Sequence, residues 1–311
     1  MDIRDYSAAF YVVCSTFCSL LGKVIVTRFF FDYPTVILLL QNATSLFIIE
    51  VLRIINVLKI SPYSFDRGRH VMLPSMLLCF SQWITVCSFE GIGLPVFDSM
   101  KRLTAPLIII VSIFIHKQSR YDKHQVAAVV ALSLISFITV NLEMSLDRYS
   151  FMYGIIAALF QAIAYVHFER LSQNFEASEL VYLHCFNSLV VYLIADIVQD
   201  EIRDSFMFMM TSAHPLFSGV FLILLFSSLP LHYATFYTIQ HLGALNTQVI
   251  SNIRAAFQIL IAYAFSIYMF YGVGFGIMNY LGLLAIIPTA YYCFLTFRND
   301  TSLKMPWATK A

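Results

Sequence analysis

Stretches of about 20 predominantly apolar residues recur along this chain from residue 8 to residue 297, separated only by short polar breaks. A helix of ~20 residues is ~30 Å long, the thickness of a bilayer's hydrocarbon core. Inside lipid each backbone N–H and C=O must be satisfied within its own segment, so every such run is predicted to be helical. Ten runs are found, at about 8–27, 34–58, 72–93, 95–115, 124–142, 152–170, 179–198, 216–239, 246–269 and 275–297. The expected fold is an all-α polytopic membrane protein with ten transmembrane helices. Composition agrees, because 59% hydrophobic and 12% charged residues cannot cover a water-soluble globule of 311 residues with polar surface. The first run follows MDIRDYS and has no small-residue cleavage pattern after it, which reads as a retained span.

Loop charges set the expected orientation. Eleven cations (Arg4, Lys59, Arg67, Arg69, Lys117, Arg120, Lys123, Arg170, Arg298, Lys304 and Lys310) fall on one side of the ten spans, and only Arg28, Arg148 and Arg203 on the other. The positive-inside rule then places both termini in the cytosol. An even number of spans with both ends on one side suits an inverted five-plus-five repeat, with halves at 1–150 and 151–311. A short internal echo agrees: Gly93-Leu94-Pro95 precedes Lys101-Arg102, and Gly243-Ala244-Leu245 precedes Arg254. A net charge of +1 with no basic run argues against nucleic acid as a partner. Six cysteines lie inside apolar segments without metal-site spacing and read as reduced packing thiols.

The remaining five cations, Lys23, Arg53, Lys101, Arg102 and Arg254, sit within spans. Each costs about 2.5–3.5 kcal/mol on insertion scales unless it pairs, snorkels or lines a wet cavity. Arg53, near a span end, is expected to reach the headgroups. Asp98 precedes Lys101 by three residues and Arg102 by four, so it can face both along one helix. Thr247, Ser251, Arg254 and Gln258 follow an i, i+4, i+7, i+11 spacing that confines them to one face. Such a stripe is either a helix seam or the wall of a cavity, and the arginine points to the cavity. Ser15, Ser19 and Gly22 form a small-residue face beside Lys23, which either snorkels or joins the same wall. Lys23, Lys101, Arg102 and Arg254 against Asp98 leave an excess of three positive charges, and a pyrophosphate-bearing cargo would balance it. There is no Gly-rich phosphate loop, His-Glu-x-x-His helix or Gly-x-Ser-x-Gly elbow, so no enzyme, cofactor or metal site is expected. The histidines, among them His184 and His232, are scattered and read as packed or interfacial residues.

Several motifs resemble the nucleotide-sugar transporters of the drug/metabolite transporter superfamily, in solute carrier family 35, especially its subgroup D and the related GDP-mannose carriers. These are Gly22-Lys23 with Phe31-Asp32-Tyr33-Pro34 and Gln41, the segment from Gly93 to Thr104 containing Lys101-Arg102, Phe186-Asn187-Ser188, and Gly243-Ala244-Leu245-Asn246-Thr247. The resemblance implies ten helices in an inverted repeat. It also implies a Golgi or endoplasmic reticulum membrane, and exchange of a nucleoside diphosphate sugar for the matching monophosphate. Thr247 stands where GDP-mannose carriers have a lysine, Ser188 replaces an asparagine, and Arg102 gives the doubly basic pattern of UDP-sugar carriers. A UDP-sugar such as UDP-N-acetylglucosamine is therefore expected over GDP-mannose. By this reading Lys101, Arg102 and Arg254 hold phosphates with Lys23 nearby. Asn187, Ser188, Gly243, Ala244, Asn246, Thr247, Ser251 and Gln258 complete the substrate site, and Tyr165 or Tyr237 stacks on the ligand. The lipid bilayer is the other partner, and a homodimer is compatible with the sequence. Two other readings stay open: a carrier of another organic anion such as a sugar phosphate, and a non-transporting membrane scaffold.

Overall fold

Proline and glycine punctuate the helices. Pro34 and Pro215 open two of them, where a missing N–H costs nothing because the first turn has no intrahelical acceptor for it. Gly243 closes the second of these at φ 86°, a backbone geometry that side chains rarely adopt, and the next helix starts at once. The computed structural model describes residues 3–88, 100–116, 121–140, 148–211, 214–264 and 277–298. In chain order its helices are α1 (Ile3–Phe29), α2 (Pro34–Ile54), α3 (Phe65–Cys87), α4 (Thr104–His116), α5 (Lys123–Val140), α6 (Arg148–Leu171), α7 (Ala177–Gln199), α8 (Glu201–Thr211), α9 (Pro215–Leu242), α10 (Ala244–Ala264) and α11 (Ile277–Arg298). No strand occurs among the described residues.

Each expected apolar run coincides with one of these helices in whole or in part. Six of them, on α1, α2, α3, α6, α7 and α9, are long and apolar enough to cross a membrane. Shorter apolar helices lie at Thr104–Ile115, Lys123–Phe137 and Tyr280–Cys293. The chain is thus a multi-pass helical membrane protein. Large apolar side chains such as Phe47, Phe114 and Ile197 remain exposed on the outer surface, as lipid-facing positions should.

Two features depart from the expected spans. Helix α8 was not foreseen; its 11 residues are too few for a span, and Phe208 docks on the aromatic cluster of Phe31 and Phe217 at centroid distances of 5.5 and 5.8 Å. The fourth expected span is also not continuous, since the chain turns at Arg102 and Leu103 before α4 begins at Thr104. Asp98, the expected partner of Lys101 and Arg102, lies outside the described residues. Arg53, expected at the headgroups, pairs with Glu50 at 2.7 Å.

The most extensive packing joins early helices to late ones: α1 to α9, α5 to α11, α3 to α6, and α2 to α7. Helices α2 and α7 run antiparallel, because Thr35 meets Gln199 at one end while Glu50 meets Tyr182 at the other. The main apolar core, including Ile49, Val71, Phe168, Tyr182 and Phe236, fills the end of the bundle near Glu50. The middle is not filled in this way.

Candidate binding cavity

That middle holds a cavity of about 270 Å³ walled by α1, α2, α3, α6, α9, α10 and the 100–103 stretch. The helices present it with polar side chains at helical spacing. Helix α1 contributes Ser15, Ser19, Gly22 and Lys23, and α10 contributes Gln248, Ser251, Arg254 and Gln258. Lys101 and Arg102 reach it from the turn before α4. Four cationic side chains therefore share the wall, and no carboxylate is among the described residues that line it. Lys23 is 4% exposed and Arg102 7%. Fixed cations in a low-dielectric wall attract anions far more strongly than the same groups in water would.

Hydrogen bonds hold these cations in place. Arg254 Nη1 donates to the Ser15 carbonyl at 3.3 Å and to Gln258 Oε1, while Gln258 Nε2 donates to Ser19 Oγ at 2.7 Å, which ties α10 to α1. Lys101 Nζ donates to Thr85 Oγ1 of α3 at 2.7 Å. A relay of amides fixes the other side: Gln161 Nε2 donates to Gln248 Oε1 at 3.2 Å, Gln248 to Asn252 Oδ1 at 3.3 Å, and Asn252 Nδ2 to the Arg102 carbonyl at 3.0 Å. The turn that carries Arg102 is thereby anchored through α10 to α6.

Of the residues singled out in the sequence, Lys23, Lys101, Arg102, Ser251, Arg254 and Gln258 meet at this cavity, as does Tyr165. Ser15, Ser19, Gly22 and Gln41 line it too, and the remaining site candidates do not. Asn187 donates from Nδ2 to the Gly68 carbonyl at 3.0 Å and accepts from the Tyr63 phenol at 3.0 Å. The Ser188 hydroxyl lies 3.3 Å from His184 Nδ1. Gly243 makes the α9–α10 turn, the Ala244 N–H donates to Glu169 Oε2 at 3.2 Å, and Asn246 Nδ2 donates to the Leu242 carbonyl at 2.8 Å. Tyr237 stacks on Tyr233 at 5.5 Å instead of facing the cavity. Thr247 lies within about 20° of Arg254 around the α10 axis. It sits about two turns nearer the start of α10, and its hydroxyl donates to the Gly243 carbonyl at 2.8 Å.

Several lining residues were not assigned to the site from the sequence. Asn42 of α2, Gln82 of α3 and Gln161 of α6 face the cavity, as do Gln41, noted only within a motif, and His232 of α9, read as a packed or interfacial residue. The signal was available on α2, where Leu38, Asn42 and Ser45 repeat the i, i+4, i+7 spacing that drew attention to α10. His184 and His232, far apart in sequence, stand 5.6 Å apart between ring centroids, and His184 Nδ1 lies 3.0 Å from Ser75 Oγ.

No family model matches the chain. Among curated proteins it resembles the nucleotide sugar transporter SLC35D2 of Mus musculus, 25% identical with 97% of this chain and 92% of that protein covered. The Homo sapiens protein of the same name is 24% identical, with 97% and 88% covered. A Dictyostelium discoideum protein named for UDP-sugar transport is 22% identical over 58% of this chain, a match that spans 47% of that protein's length. A solved crystal structure superposes with a TM-score of 0.66 at 11% identity, covering 95% of this chain and 99% of the other, which speaks for the fold alone. Over nearly its whole length, then, the chain is similar in sequence to proteins named as nucleotide sugar transporters of solute carrier family 35.

Proposed function

We propose that the chain exchanges a cytosolic nucleotide-sugar, of the UDP-sugar class, for a lumenal nucleoside monophosphate across a Golgi or endoplasmic reticulum membrane. The observation that carries this reading is the central cavity, where Lys23, Lys101, Arg102 and Arg254 converge from different parts of the chain. Phosphate oxygens match such donors in charge and in hydrogen-bond sense, and Arg102 and Arg254 can each grip two oxygens at once. The mammalian relatives are named as nucleotide sugar transporters, and the Dictyostelium one for UDP-sugars. The doubly basic Lys101-Arg102 supports UDP over GDP, with UDP-N-acetylglucosamine as the first candidate.

The mechanism we infer is alternating access by ten spans in two inverted halves, 1–150 and 151–311, with both termini cytosolic. Closing an empty cavity would desolvate its cations, whereas closing it around a phosphate would set anionic oxygens against them. That difference favours exchange over leak. The test is uptake by proteoliposomes holding the purified protein, preloaded with UMP, GMP or CMP and offered the corresponding sugar donors. UMP-dependent uptake of a UDP-sugar is the expected result, and no exchange with any donor would remove the reading. A sugar-phosphate carrier is the second reading, favoured by a cavity of about 270 Å³, which lies at the lower edge of the ~300–1,000 Å³ usual for small-molecule sites. Thermal stabilisation by sugar phosphates but not by nucleoside monophosphates would select it.

A further inference from the structure

Two amide oxygens in the cavity wall stand apart from the hydrogen-bond networks around them. Asn42 of α2 is 1% exposed, and its Nδ2 donates to the Leu38 carbonyl at 2.8 Å. A carbonyl can only accept, so this contact fixes which end of the amide is nitrogen. The other end, Oδ1, is buried in the cavity wall and meets no donor among the described residues. The same holds for Oε1 of Gln82, on the neighbouring helix α3. Ser45 shows the alternative one turn further along α2, where its hydroxyl is matched to Ser228 Oγ at 2.8 Å. A buried acceptor without a donor destabilises the fold, and a leucine of the same size would not.

We infer that Asn42, with Gln82 in the same cavity wall, is a specificity-determining position that accepts an N–H or O–H donor from the uncharged part of the ligand. The inference rests on the anion-carrier reading above and extends it. Lysine and arginine side chains only donate, and these two amide oxygens only accept. A ligand that satisfies both sets carries anionic oxygens at one place and N–H or O–H donors at another. Bare phosphate or pyrophosphate fills the first set and leaves the second unmet. A phosphorylated ligand bearing a nucleobase imide or sugar hydroxyls fills both. The cations would then supply affinity for any phosphorylated anion, while Asn42 selects among them.

The variant Asn42→Leu keeps the size of the side chain and removes the acceptor. Purified full-length protein carrying it is expected to melt at or above the wild-type temperature without ligand. Its affinity for UMP or for UDP-N-acetylglucosamine, read by thermal shift and by exchange in proteoliposomes, is expected to fall about ten- to a hundredfold. Stabilisation by inorganic pyrophosphate should not change. Loss of affinity for UMP but not for N3-methyl-UMP would assign the donor to the base imide. Loss for the UDP-sugar with UMP unaffected would assign it to a sugar hydroxyl, and both outcomes support the inference. Wild-type affinity in the variant for every ligand overturns it, as does an equal weakening of pyrophosphate. If wild type responds to sugar phosphates and to no nucleotide, the nucleotide-sugar reading fails. Asn42→Leu then decides this inference on the sugar phosphate by the same criterion. A ligand-free melting point well below wild type would show that Oδ1 was already satisfied, and would overturn the role of Asn42; Gln82→Met then tests the second acceptor by the same affinity measurements.

Discussion

The cavity and the layer around Tyr63 both draw on buried or half-buried polar side chains of the same transmembrane scaffold, and they use them differently. In the layer, polar groups find protein partners: the Tyr63 phenol donates to Asn187 at 3.0 Å, Asn187 to the Gly68 carbonyl at 3.0 Å, Tyr182 to Glu50 at 2.5 Å, and Arg67 to Glu179. The Tyr63 ring also stacks on Phe186 with centroids 3.8 Å apart. In the cavity, cations held by hydrogen bonds of their own line open space, and two amide oxygens are buried in the wall without a donor among the described residues. Burial and polarity alone do not separate a binding wall from a structural clamp. What distinguishes the cavity is the open space its cations line and the two buried amide oxygens that meet no donor among the described residues.

The contrast predicts that stability and ligand response divide between the two regions. The largest effect should come from the cavity cations. On the proposed function, Arg254→Ala or Lys101→Ala removes a charge-assisted contact to phosphate worth about 2–5 kcal/mol, a loss of at least about thirtyfold in ligand affinity. Exchange should be abolished while the protein still inserts and elutes as a folded species. Exchange at wild-type rates in both variants would show that the cations serve the fold, as the Tyr63 layer does.

Sequence reasoning reached the helices more easily than the site, for a physical reason. A span is a property of composition over some 20 residues, and apolar runs register it directly. Helix α8, with 11 residues, fell below that length. The cavity cations were legible because a charge in hydrocarbon is costly wherever it sits, so Lys101 and Arg254 announce an unusual environment on their own. Asparagine, serine and threonine carry no such signal. They satisfy themselves against backbone carbonyls, as Thr247 does at Gly243 and Asn246 at Leu242, or against distant side chains, as Asn187 does at Tyr63. As residue types Asn187 and Asn42 are the same, and what distinguishes them is that Asn187 finds partners on another segment at Tyr63 and Gly68 while Asn42 Oδ1 meets no donor among the described residues.

Gly68→Ala is the strongest test of the clamp. A methyl group at Gly68 would overlap the Tyr63 ring, which the Phe186 stack and the Asn187 hydrogen bond hold from other sides. Displacing the ring costs about 3 kcal/mol as overpacking, and the melting temperature should fall accordingly. Asn187→Ala should follow at about 2 kcal/mol, the cost of leaving the Gly68 carbonyl and the Tyr63 phenol without their partner. In both variants the nucleotide-induced rise in melting temperature should persist. If Asn187→Ala instead left stability intact and abolished ligand response, Asn187 would belong with the cavity in another conformation of the protein.

The smallest effect concerns the opposite end of the α2–α7 pair, where the clamp's logic recurs with a titratable group. Glu201, the first residue of α8, accepts from the Thr35 backbone N–H at 2.9 Å and from the Thr35 hydroxyl at 3.1 Å, and so holds the start of α2. Burial raises its pKa above the ordinary carboxylate value, and nearby Asp196 adds to the rise, outweighing the Thr35 hydrogen bonds that lower it. A carboxyl group with a raised folded-state pKa binds more protons folded than unfolded. Its contribution to stability is therefore present at low pH and is lost as pH climbs from the ordinary glutamate value through the raised one. Glu201→Gln keeps an amide oxygen for Thr35 and cannot ionise. Melting temperatures measured across that acidic window should decline with pH less in the variant than in wild type. Parallel curves would mean that Glu201 is solvated well enough to titrate normally, and that the α2 start is held by the Gln199 and Trp83 contacts to Thr35 instead.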